Sequence, residues 1–129
     1  MAGSLLLDSN AVIALFAADP SFLSKISQAE LTFLPSVALG ELYFGAEKSA
    51  HRDANRAKLD ALVGKIGVLP VDAATARQFG KIKMALRAKG RPIPENDIWI
   101  AAIAIQYELT LLTADEHFGK VDRLKVEGW

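Results

Sequence analysis

Leu109-Thr110-Leu111-Leu112-Thr113-Ala114-Asp115 reads as a short strand, apolar on both faces, that runs out onto a carboxylate. Leu5-Leu6-Leu7-Asp8, near the other end of the chain, repeats that form. Strands buried on both faces belong to parallel sheets covered by helices. Outward from these two, Leu31–Leu34, Gly67–Val71 and Leu124–Glu127 read as further strands. Helical patterns fill the gaps. Ser9 or Asn10 is expected to cap Ala11–Ala17, and Ser21 to cap Phe22–Ala29. Pro35-Ser36 opens Val37–Lys48, Asp53 opens Ala54–Lys65, and Asp72 caps Ala73–Ala88. After Pro92 and Pro94, Asn96 or Asp97 opens Ile98–Tyr107. Strands alternating with helices give the α/β class, with a parallel sheet and helices on both faces.

The 129 residues suit one domain spanning 1–129, and a 51% apolar content with mean hydropathy +0.21 excludes intrinsic disorder. The absence of cysteine excludes a disulfide scaffold, thiolate catalysis and a zinc finger, and fits a reducing cytoplasm. Fifteen Lys and Arg balance fifteen Asp and Glu, which argues against a protein that coats nucleic acid or membrane with basic surface. The opening Met1-Ala2-Gly3-Ser4 lacks the basic start of a signal peptide, and Ile98–Ile105 is far short of the ~20 apolar residues of a membrane span. The expectation is a cytoplasmic domain with no membrane partner.

Four acidic residues stand among apolar ones. Asp8 and Asp115 lie at the carboxyl ends of strands, where open α/β sheets bind ligands; each alone also reads as a helix cap or turn former. Glu41 lies mid-helix between Ala38, Leu42 and Gly45, with no lysine four residues away to pair with it. It reads either as a surface glutamate or as a buried one in need of a partner. Asp97 begins a helix that is apolar nearly all round, where it could simply complement the helix dipole. Taken together, the four can converge on one edge of a parallel sheet. Carboxylates so gathered repel unless cations are bound, and oxygen donors without His or Cys favour Mg²⁺ or Mn²⁺. Such a site suits metal-assisted hydrolysis of a phosphodiester.

Leu6-Leu7-Asp8-Ser9-Asn10, Glu41-Leu42-Tyr43-Phe44-Gly45, Asn96-Asp97-Ile98-Trp99-Ile100-Ala101-Ala102 and Thr113-Ala114-Asp115-Glu116-His117-Phe118 occur in the order and spacing of PIN-domain nucleases. The chain resembles, more closely, the VapC-type toxins of toxin–antitoxin pairs, from about Leu5 to its carboxyl end. The resemblance implies a PIN-like three-layer α/β/α sandwich with a central parallel sheet. It implies that Asp8, Glu41, Asp97 and Asp115 form a metal-binding, catalytic quartet, with Thr113, Ser9 and Asn10 lining the site. It further implies an endoribonuclease that uses Mg²⁺, with Mn²⁺ as substitute, a homodimer, and a VapB-like antitoxin that occupies the active-site groove.

Other residues carry less. His117 reads as a partly exposed loop histidine that could also touch substrate, His51 as surface and Trp99 as core; Tyr43 and Phe44 read as core packing, with an RNA- or antitoxin-binding groove as the alternative. Six basic residues and no acidic one lie between Asp72 and Glu95; of these, Arg87, Lys89 and Arg91 lead towards Asp97 and are candidate RNA contacts as well as a solvated face. Without the four acids the balance is 15 basic to 11 acidic residues, a net of +4, so neutrality overall does not exclude an RNA substrate. Two other classes fit parts of the pattern. A phospho-acceptor domain would be phosphorylated on Asp8, but Asn10 replaces the second Asp of one such motif. A non-catalytic binding module gains nothing from clustered carboxylates.

Overall fold

The computed structural model describes residues 3–129. Five parallel strands, β1 (Ser4–Leu7), β2 (Leu31–Pro35), β3 (Gly67–Leu69), β4 (Thr110–Leu112) and β5 (Val126–Glu127), form one sheet in the order β3-β2-β1-β4-β5. Six helices join them: α1 (Ser9–Phe16), α2 (Pro20–Ser27), α3 (Ser36–Glu47), α4 (Arg52–Val63), α5 (Ala73–Ala88) and α6 (Glu95–Gln106). The chain first steps from β1 through β2 to β3, then crosses back to place β4 on the far side of β1. With right-handed crossovers, that reversal puts the α5–α6 connection on the opposite face from the earlier helices, giving three layers. It also opens a crevice between the carboxyl ends of β1 and β4, paired as Leu7↔Leu112.

Burial follows the apolar runs. Leu5, Leu6 and Leu7 are almost fully enclosed, as are Leu111 and Leu112, because both faces of the central strands are covered. Helix α6 buries Ile98 and the whole of Ile100–Ala104, and it packs most heavily on α5, where Phe79 and Trp99 stack with centroids 3.9 Å apart. Gly67 faces Phe33 in the β2–β3 pair, and a Cβ there would meet the ring at 2.8 Å. The absence of a side chain lets the edge strand close on its neighbour.

The helix starts differ from the sequence expectation at several caps. Asp8 itself caps α1, in place of Ser9 or Asn10, and Asp19 caps α2 with Pro20 at the first helical position, in place of Ser21. Helix α4 starts at Arg52, so Asp53 sits in its first turn rather than opening it. Helix α6 starts after Pro94, which puts Glu95, Asn96 and Asp97 all in the first turn. Asp72 caps α5 as expected, with Thr75 completing a capping box. At the other end of α5, Gly90 takes φ +65°, and the Arg91 N–H reaches back to Leu86 while the Gly90 N–H reaches Arg87. This left-handed stop turns the chain sharply through Pro92 and Pro94 and delivers α6 to the crevice with its N-terminus first.

Candidate active site

Asp8 leaves β1 with an extended backbone and works with both its oxygens. Oδ1 accepts the Ala11 N–H at 2.9 Å, and Oδ2 accepts the hydroxyl of Thr113. Thr113 follows β4, is 3% exposed, and its Oγ1 in turn accepts the Asp115 N–H at 3.0 Å. One threonine therefore ties the end of β1 to the end of β4 and sets the spacing between two carboxylates. Burial pushes the Asp8 carboxyl above its ordinary range, and the charge of Asp115 adds to the push. The hydrogen bonds from Thr113 and Ala11 offset part of it.

Asp97, in the first turn of α6, is also raised, first by burial and then by Asp115. His117 opposes that rise. Glu41 is partly buried on α3 and raised by burial, with repulsion from Asp97 and Asp8 added; the Asn96 side chain offsets some of this. Its Oε1 is buried with no hydrogen-bond partner among the described residues. The four acids are thus linked by repulsion, Asp8 and Asp97 with Asp115 and Glu41 with Asp97 and Asp8, although they come from four separate places in the chain. A group of carboxyls held above their ordinary range and one orphaned oxygen fit a divalent cation, which would relieve the repulsion and accept the free donor. Donor atoms of Asp97, Asp115 and His117 all lie within 4.8 Å of one another.

Beside Glu41 a cavity of about 380 Å³ opens between α1, α3 and α4. Its wall is largely apolar, with Ile13, Phe16, Leu42 and Leu59, and Ser9, Asn55 and Lys58 provide polar points. Gly45 lines it too, and nothing stands within 4 Å of where its Cβ would be, so the absent side chain leaves the groove open.

The sequence profile of the PIN domain matches residues 5–124. A protein named ribonuclease VapC2, from Haemophilus influenzae, is 35% identical over 127 residues, covering 96% of each chain. The chain described here belongs to the PIN-domain family, in its VapC group. A protein named tRNA(fMet)-specific endonuclease VapC, from Shigella flexneri, is 38% identical over 97 residues, or 74% of each chain. The solved DNA-bound VapBC of Salmonella typhimurium superposes with a TM-score of 0.90 at 26% identity, over 98% of both chains.

Within this PIN domain the quartet positions Asp8, Glu41, Asp97 and Asp115 converge, and Thr113 joins them. Ser9 lines the groove beside Glu41, whereas Asn10 is exposed and does not line that groove. The basic trio is divided. Lys89 pairs with Asp122 at 2.6 Å and shares a cavity with Lys81, Lys120 and Arg123, while Arg87 lines a different cavity with Lys83 and Glu95. Arg91 is exposed. One aromatic expectation is corrected: Phe44 is 64% exposed, with Lys48 Nζ 4.7 Å over its ring. Tyr43 packs half-buried against the core, and its hydroxyl donates to Asp60 on α4. Ala38 and Ala46 are the buried residues of α3, with Val37, Leu39 and Leu42 partly buried beside them. His117 is the residue the sequence reading undervalued: it turns back onto Asp97 and Asp115 rather than standing free in a loop. The signal was its place two residues after an acid at a strand end, where a 3₁₀ turn (Glu116–Lys120) brings the side chain back.

Proposed function

We propose that this PIN-domain protein is the endoribonuclease toxin of a toxin–antitoxin pair, hydrolysing RNA phosphodiester bonds. The observation that carries the reading is the convergence of Asp8, Glu41, Asp97 and Asp115 on the β1–β4 crevice, with three of the four carboxyls raised and Thr113 fixing the strand ends. The names of the VapC relatives supply the substrate class. The four acids are the proposed catalytic, metal-holding set, with Mg²⁺ as the ion and Mn²⁺ as its substitute. A bound divalent cation would lower the pKa of a water and stabilise charge on the scissile phosphate.

The chain's own side chains have separable tasks. Thr113 holds Asp8 Oδ2, so that carboxylate presents a fixed edge. Asp97 is carried on the first turn of α6, whose N-terminal dipole favours negative charge, both its own and that of an approaching phosphate. Ser9 lines the approach beside Glu41. Lys89, with Lys81, Lys120 and Arg123 around one cavity, offers phosphate contacts, and Arg87 in the last turn of α5 and Arg91 in the connection to α6 offer more. The groove beside Glu41 suits the antitoxin: it is apolar, open, and adjoins the acids that an antitoxin must cover. The solved relative from Salmonella typhimurium is such a VapBC complex. We place the working unit in the cytoplasm as a homodimer of one-domain chains, the location and assembly that the resemblance to VapC-type toxins implies.

The test is expression with and without a VapB-like partner, scoring growth and mapping RNA ends. Cleavage and growth arrest are expected from the chain alone and neither from Asp97→Asn, and the purified protein should lose cleavage in EDTA. Cleavage that survives both would overturn the proposal.

A further inference from the structure

His117 enters the acidic site through its ring. Nδ1 stands 3.1 Å from Asp115 Oδ1 and 3.4 Å from Asp97 Oδ2. The backbone holds the ring there: the His117 N–H donates to Asp115 Oδ1 at 2.9 Å, so the turn that follows the strand wraps around the carboxylate it serves. The side chain is 46% exposed, against 16% for Asp97 and 27% for Asp115. It is the most exposed of the three side chains.

These separations have a second meaning. Around an octahedral ion with bonds of about 2.1 Å, adjacent donors stand about 3.0 Å apart. The His117–Asp115 distance already has that value, and the His117–Asp97 distance is slightly wider. All three donor atoms lie within 4.8 Å of one another, close enough to converge on one ion.

We propose that His117 Nδ1 is a direct ligand of the cation, together with Asp97 and Asp115. The proposal rests on the nuclease reading above, and it changes the chemistry of the centre. The donor set becomes nitrogen and oxygen, where the quartet motif alone has only oxygen. Imidazole suits later first-row ions and adds little for Mg²⁺, which keeps to carboxylate and water. Mn²⁺ therefore binds this site more tightly than Mg²⁺ does, and His117 is responsible for part of the gap. The residue selects the ion.

The decisive measurement is electron spin-echo envelope modulation on the full chain, stripped of metal and reloaded with Mn²⁺. Nitrogen-14 modulation of imidazole type is expected in the unaltered protein, retained in His51→Gln and lost in His117→Gln; these are the chain's two histidines. By titration calorimetry, His117→Gln is expected to weaken Mn²⁺ about tenfold while Mg²⁺ changes much less. Bound Mn²⁺ without nitrogen modulation in the unaltered protein overturns the assignment and leaves the nuclease reading standing; His117 is then only an ion-paired neighbour of the two acids. An unchanged ratio of Mn²⁺ to Mg²⁺ affinity in His117→Gln overturns it too. If no Mn²⁺ binds at all, the metal-dependent nuclease reading falls with it.

Discussion

Asp8 and Asp72 do the same local job with opposite electrostatic results. Each caps a helix, and each accepts a backbone N–H three residues on through Oδ1, at 2.9 Å from Ala11 and 3.0 Å from Thr75. Asp72 is exposed and gathers further donors, the Thr75 hydroxyl and Gln106 Nε2, both at 3.0 Å, which hold its carboxyl below the usual range. Asp8 is 4% exposed, faces Asp115, and is pushed above it. The cap motif is therefore silent about function. What separates a structural aspartate from a working one is whether burial and like charge leave it wanting a cation.

The largest effect should come from removing charge while keeping the cap. Asp8→Asn preserves an acceptor for Ala11 but is expected to slow RNA cleavage by about a thousandfold, whereas Asp72→Asn leaves the rate unchanged. Equal losses in a cleavage assay would erase the distinction. Next, a divalent cation at a hundred times its Kd should stabilise the chain by about 2.7 kcal/mol, seen as a rise in Tm of about 10 °C that EDTA reverses. Asp8→Asn should blunt that rise and Asp72→Asn should keep it. Thr113→Val, which removes the bond to Asp8 Oδ2, should cost about tenfold in cleavage with the fold intact by circular dichroism.

The pH dependence has opposite signs in the two regions. Asp8, Glu41 and Asp97 hold their protons more tightly folded than unfolded. The metal-free chain therefore gains stability as pH falls towards the ordinary carboxylate range and loses it as pH rises through the raised values. Asp72 contributes stability above its ordinary value, lost as pH falls through its lowered one. Thermal scans should place the metal-free optimum on the acidic side of neutrality, and saturating cation should move it upward. A metal-free optimum that cation does not move would sink this account. The smallest effect is Asp72→Ala, a fall of a few degrees in Tm with cleavage untouched.

The strands and helices were legible in the sequence because their signals are local. Leu5–Leu7 and Leu109–Leu112 announce buried strands by composition, and the helical spacing of Ala76, Phe79, Ile82 and Leu86 announces α5. Caps were harder, since Asp8, Ser9 and Asn10 all qualify and only the backbone angle at Asp8 decides among them. The acidic residues could be picked out as misfits, and the order of the motifs grouped them; their mutual field is a product of strand order, which no local pattern encodes. His117 escaped for a related reason. Its approach to Asp97 depends on a 3₁₀ turn meeting a helix from elsewhere in the chain. Phe44 sits in an apolar-looking stretch, and only the placement of α3 shows which side of it faces water.

The Thr113–Asp8 bond spans 105 residues of sequence. During synthesis Asp8 emerges 105 residues ahead of Thr113 and has no partner across the crevice until β4 and the turn after it have followed. Long-range parallel pairing of this kind is slow to form and comes late. A nascent or truncated chain ending before Thr113 carries most of the acids and none of their arrangement, so it should not cleave RNA. The acidic cluster can assemble only after the segment around Thr113 has been made.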